Sequence, residues 1–131
     1  MKSRLIYWLT YAGMWLLALL PFRALYVLSD GFCFLMHYIV NYRRKVVRNN
    51  LHNAFPEKSE AELREIECKF YRYICDYMLE EVKMLRMSFK ELCRRMEYDN
   101  KEEYLAMIEK HGGIVLVIPH YANFEWITGM S

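Results

Sequence analysis

Ile114-Val-Leu-Val-Ile118-Pro119-His120-Tyr-Ala-Asn123-Phe-Glu125-Trp126 is the stretch on which the fold reading turns. Residues 114–118 are wholly apolar and mostly β-branched. That composition predicts a five-residue strand, apolar on both faces, as a buried parallel strand is. A histidine follows it after one proline, and a glutamate stands five positions further on. In open α/β sheets functional groups gather at the carboxyl ends of strands. The stretch therefore predicts an α/β architecture with chemistry at the end of its first strand.

His120 and Glu125 would point about 140° apart if both lay in one α-helix of 3.6 residues per turn. They can meet if His120 sits on the turn before a helix and Glu125 in its first turns. The carboxylate would then fix the imidazole tautomer and stabilise the imidazolium, leaving the other ring nitrogen to take a proton. This suits a hydroxyl that attacks a thioester carbonyl, with no serine or cysteine nucleophile of the protein. The plainer reading is a polar strand terminus and a glutamate favoured by the helix dipole. A metal site is not expected. Two ligands are too few, and His-x4-Glu is not His-Glu-x-x-His.

Upstream of the strand, helices are expected throughout. Gly112-Gly113 suits a left-handed C-cap for a helix that Asn100 opens and that runs to Lys110. Ser88-Phe-Lys-Glu91 and Ser59-Glu-Ala-Glu62 are capping boxes. The first opens a short helix through about Tyr98, the second a long one to about Met87. On the long helix Leu63, Ile66, Phe70, Tyr73, Ile74, Tyr77, Met78, Val82 and Leu85 recur at three- and four-residue steps, which predicts a core-facing stripe. Part of that stripe lining an acyl-chain groove is the lesser alternative. Asp76, Glu80, Glu81 and Lys83 are expected in solvent, with Glu80–Lys83 as an i,i+3 pair. Residues 43–55 read as a short basic helix ended by Pro56.

Residues 5–20 carry no charge and include Tyr7, Trp8, Tyr11 and Trp15. The run is slightly short of the roughly 20 residues that cross a bilayer. It can span if Pro21-Phe22 lie inside, or lie in the interface on its aromatic anchors. Met1-Lys2-Ser3-Arg4 resembles the start of a signal peptide, but no small-x-small cleavage site follows, so a retained anchor is favoured. A soluble chain with a greasy buried first helix is the bland alternative. Between Asp30 and Glu57 the chain has Arg43, Arg44, Lys45 and Arg48 and no acid. Beside an apolar segment such a cluster meets anionic lipid headgroups more often than nucleic acid. No nucleic-acid motif accompanies it. The net charge of +2 decides nothing further. Cys33, Cys68, Cys75 and Cys93 lack Cys-x-x-Cys spacing, so zinc is not expected. Cys68 and Cys75 are too far apart along one helix for a disulfide. All four are expected as reduced, buried thiols.

Several blocks carry a resemblance. They are Leu20-Pro-Phe-Arg-Ala-Leu-Tyr-Val-Leu-Ser-Asp30, Tyr42-Arg-Arg-Lys-Val-Val-Arg-Asn-Asn-Leu51, Phe55-Pro-Glu-Lys58, Phe70-Tyr-Arg72, Cys75-Asp-Tyr77 and His120-Tyr-Ala-Asn-Phe-Glu125-Trp126. Over nearly its whole length the chain resembles the late acyltransferases of lipid A biosynthesis, in the lysophospholipid acyltransferase superfamily. The last block matches the family's His-x4-(Asp/Glu) motif, with Phe124 where the family commonly has Trp. The resemblance implies transfer of a fatty acyl group from an acyl thioester, typically acyl carrier protein, to a hydroxyl of a lipid A precursor. It places the protein at the cytoplasmic side of the bacterial inner membrane and needs no cofactor. By carry-over His120 is the general base, Glu125 its partner, and Asn123 helps shape the site. Arg43, Arg44, Lys45 and Arg48 meet either lipid phosphates or the acidic carrier.

The expected organisation is a membrane anchor or interfacial helices over 1–41 and the N-terminal portion of an acyltransferase domain over 42–131. The end at Ser131 reads as a cut through that domain, leaving a mostly α piece with one strand. Such a piece is expected to be inactive and poorly stable alone, and acyl transfer by the purified fragment would overturn that. Two rival readings stand: a non-catalytic, membrane-anchored helical module or remnant, and an acyltransferase acting on another membrane lipid.

Overall fold

The computed structural model describes residues 2–97 and 99–130. It is helical: α1 (Lys2–Leu19), α2 (Phe22–Phe34), a π-helical turn (Leu35–Ile39), α3 (Arg44–Ala54), α4 (Glu60–Met84), α5 (Phe89–Arg95), α6 (Lys101–His111) and a final 3-10 helix (Phe124–Met130). The chain divides into two compact units, Met1–Arg86 and Met87–Ser131. The expected boundary at 41/42 falls inside the first of them.

In the first unit α1, α2 and α3 all pack on α4. Helix α4 is opened by the expected capping box: Ser59 Oγ accepts from the Glu62 N–H, and the Glu62 carboxylate accepts from the Ser59 N–H. Its buried line is Leu63, Glu67, Tyr71 and Cys75, four residues apart each time. This corrects the expected stripe, of which only Leu63 is fully buried; Phe70, Tyr73, Met78 and Leu85 are exposed. Hydropathy passed over Glu67 because a charge enters a core only when its partners arrive from elsewhere in the fold.

Pro21 separates α1 from α2, since the residue before a proline is disfavoured in helical geometry. The carbonyls left at the end of α1 find Lys83, whose Nζ donates to Ala18 O at 2.8 Å and Leu20 O at 2.6 Å. Lys83 is therefore a cap for another helix, and not half of the expected surface pair. Glu80 accepts instead from Tyr26 Oη at 2.6 Å. No single helix among the described residues is long and apolar enough to cross a membrane. The pair Phe22–Ile39 and Arg44–Ala54, bent by 89°, passes that test together by length and composition. Helix α1 nonetheless presents a broad apolar face, with Leu5, Ile6, Tyr7, Leu9 and Trp8 exposed, the last at 61%.

Only Cys75 among the cysteines is buried; Cys33 is half-buried and Cys68 and Cys93 are exposed, against the expectation of four buried thiols. Burial, with Cys33 close by, pushes the Cys75 thiol up to about 11. A maleimide at neutral pH is expected to label Cys68 and Cys93 and to spare Cys75 until the chain is denatured. Peptide mapping by mass spectrometry checks this, and early Cys75 modification would contradict the packing of α2 on α4.

In the second unit only the serine half of the expected capping box forms: Ser88 Oγ accepts from the Glu91 N–H at 3.2 Å, and the Glu91 carboxylate holds Arg94 and Arg95. The helix stops at Arg95, and Tyr98, its expected end, lies outside the described residues. Asn100 stands at the N-cap of α6 in the left-handed region without a side-chain cap bond. Gly112 closes α6 at φ 73°, its N–H on Ile108 O at 2.8 Å, the expected C-cap. Residues 114–118 do not form the expected strand. No strand exists among the described residues, and Val115 and Val117 are 91% and 88% exposed. A strand is defined by its ladder, and no partner edge lies among the described residues to supply one.

Candidate active site

His120 lies at the centre of a three-residue turn in which the Tyr121 N–H reaches Pro119 O at 2.9 Å. A turn of this kind is common where an extended run ends. Ala122 then takes φ 52°, a left-handed conformation unusual for a residue with a β-carbon. The chain is thereby turned sharply into the 3-10 helix, whose first turn closes from the Trp126 N–H to Asn123 O at 3.0 Å. Asn123 thus opens the helix with its carbonyl, and Glu125 is the helix's second residue.

His120 is exposed, and its ring meets the edge of Phe124 at 4.5 Å between centroids, 61° between planes. The spacing and angle are those of a favourable edge-to-face ring contact. The helix carrying Glu125 packs on α5, where Leu92 and Trp126 are the buried residues. The structure therefore places His120 on a turn and Glu125 within the first turn of the following helix. Asn123 lies between them.

The four basic candidates belong to the first unit and divide into two kinds. Arg44 Nε donates to Glu67 Oε1 at 2.7 Å, and Arg48 Nε donates to Glu67 Oε2 at 2.8 Å. His37, buried in the π-helical turn, lies 3.2 Å from Glu67 Oε1 and stacks on Tyr71. Burial alone would raise the Glu67 carboxyl, but the bonds from Arg48, Arg44 and His37 outweigh it and hold the group below its ordinary value of 4.5. Arg44 and Arg48 are therefore spent on a buried carboxylate that is 1% exposed. Arg43 and Lys45 have no such partner among the described residues. Arg43 caps α3 at φ 50°, a strained position for arginine costing about 1–2 kcal/mol. It is held there because Tyr71 Oη donates to Tyr42 O, and Arg44 reaches Asn41 Oδ1 at 3.1 Å.

Sequence reasoning missed Glu67 and His37. The signal was available: Glu67 sits four residues from Leu63 and from Tyr71, on the inner line of a capped helix. Among the described residues no group of histidine, cysteine and carboxylate side chains is placed to hold a metal ion.

A family model described as bacterial lipid A biosynthesis acyltransferase matches residues 1–130. The lipid A biosynthesis lauroyltransferase of Escherichia coli (strain K12) is 30% identical over 122 residues, covering 91% of this chain and 40% of that protein. The chain thus spans about two-fifths of the length of that relative. No solved structure matches it.

Proposed function

The chain belongs to the bacterial lipid A biosynthesis acyltransferases, and on that premise we propose that the full-length protein transfers a fatty acyl group from an acyl thioester to a hydroxyl of a lipid A precursor. The observation that supports the chemistry is His120 on an exposed turn, with three residues between it and the helix that bears Glu125. In this reading the free imidazole nitrogen takes the proton of the acceptor hydroxyl as its oxygen attacks the thioester carbonyl. Collapse of the tetrahedral intermediate expels the thiolate, and the imidazolium returns the proton to it. Glu125 holds the ring in the correct tautomer and stabilises its charged form. Asn123 shapes the turn between them.

The donor in this reading is acyl carrier protein, and the site of action is the cytoplasmic side of the bacterial inner membrane. The exposed apolar face of α1 supports contact with the bilayer, where aromatic side chains such as Trp8 and Tyr7 favour the interface. The test is direct. The purified full-length protein in detergent is offered a lipid A precursor with acyl carrier protein thioester or with acyl-CoA. Gain of one ester-linked chain by the precursor, faster with the carrier protein, is the expected result. Acylation of a glycerophospholipid in its place would move the assignment to another lipid acyltransferase, and no acylation of either would leave a helical binding module.

A further inference from the structure

A cavity of about 370 Å³ lies within the first unit, between the end of α2, α3 and α4. That is inside the usual range of about 300–1,000 Å³ for ligand pockets. Its walls are apolar: Phe32 and Met36 on one side, Val47 on another, and Phe70, Ile74 and Met78 along α4. No carboxylate lines it. The polar groups it does have include Arg43 and Asn50.

The state of the basic cluster decides what this cavity takes. Arg44 and Arg48 are both ion-paired to the one carboxylate of Glu67. Arg43 is the arginine of the cluster with no ion-pair partner among the described residues, and it is the one that lines the cavity. Its backbone is held beside the cavity by the anchored Tyr42 carbonyl. An apolar slot with an arginine among its polar groups suits a molecule with a hydrocarbon chain and an anionic head.

We infer that this cavity binds an anionic phospholipid, one acyl chain lying along Ile74 and Met78 and the headgroup phosphate on Arg43. Guanidinium and phosphate match in geometry, and the fixed fork makes arginine the better partner than a mobile lysine. The cavity lies wholly within the first unit, and the inference does not rest on the acyl-transfer reading. Lipid bound here would hold α3 and the π-helical turn against α4 as the protein meets the bilayer surface.

The experiment is photolabelling of the detergent-solubilised full-length protein in mixed micelles. The probe is phosphatidylglycerol with a diazirine near the end of one acyl chain, and phosphatidylcholine with the same chain is the control. Adducts on Ile74, Met78 or Phe70 are expected with the anionic probe. Arg43→Gln should lower them about tenfold, the worth of one charge-assisted hydrogen bond. Arg43→Lys should retain a substantial part, and Val47→Trp, which fills the slot, should abolish them without touching the charge. Equal labelling by the two probes, labelling unchanged in Arg43→Gln, or adducts confined to α1 would each overturn the proposal. Because the readout is an adduct and not turnover, loss of acyl transfer would leave the result standing.

Discussion

Replacing His120 by alanine in the full-length protein is expected to lower acyl transfer by about 10²–10⁴-fold, the range for loss of a positioned general base. The loss should fall on kcat, with KM for either substrate little changed, because in the proposed mechanism His120 works on a proton that moves only in the transition state. Glu125→Gln should cost less than His120→Ala. In the proposed mechanism the amide would still accept a hydrogen bond from the ring but would no longer offset the imidazolium charge. Phe124→Ala should cost less again, since it loosens the ring contact seen at 4.5 Å without removing the base. Steady-state rates of the purified variants decide the matter. A His120→Ala enzyme within a few-fold of the unmodified protein would exclude the histidine as base and return the motif to a polar turn.

Glu67→Ala is expected to destabilise the first unit by about 3 kcal/mol, the lower end of what breaking a buried ion pair costs. The lower end applies because the Arg44 and Arg48 side chains are 32% and 44% exposed and recover some hydration. His37 has no such recourse, being 3% exposed. Replacing Glu67, Arg44, Arg48 and His37 together by apolar residues of similar volume should restore much of the loss. The pH dependence has a definite sign. The folded carboxyl titrates below its ordinary value of 4.5, so its contribution is complete above that pH and is lost as pH falls through the lower, folded value. Glu67→Gln should therefore flatten the acid limb of stability below about pH 4.5. Chemical denaturation followed by helical circular dichroism measures this, and an unchanged acid limb would show that Glu67 is not the group responsible.

Much of the local structure was legible in the residues. Ser59 and Glu62 opened α4, Pro21 and Pro56 marked helix limits, and Gly112 closed α6. Each signal acts within about four residues, through a backbone bond or a torsion that the residue itself controls. The family was legible too, because the motif blocks are contiguous, and the match over residues 1–130 agrees with that reading. The roles of individual basic residues were not legible. Arg43, Arg44, Lys45 and Arg48 look alike in sequence, yet two are bound to a buried glutamate some twenty residues away and one lines a cavity.

The sequence by itself determined most of the helices, the Ser59 and Gly112 caps, and the order of His120, Asn123 and Glu125 along the chain. Only the tertiary structure decided that Glu67 lies inside, that Lys83 caps α1, and that residues 114–118 make no ladder. The reason is common to all three. A helix satisfies its own backbone, but a buried charge, an orphan carbonyl and a strand each need a partner that the fold must bring from elsewhere.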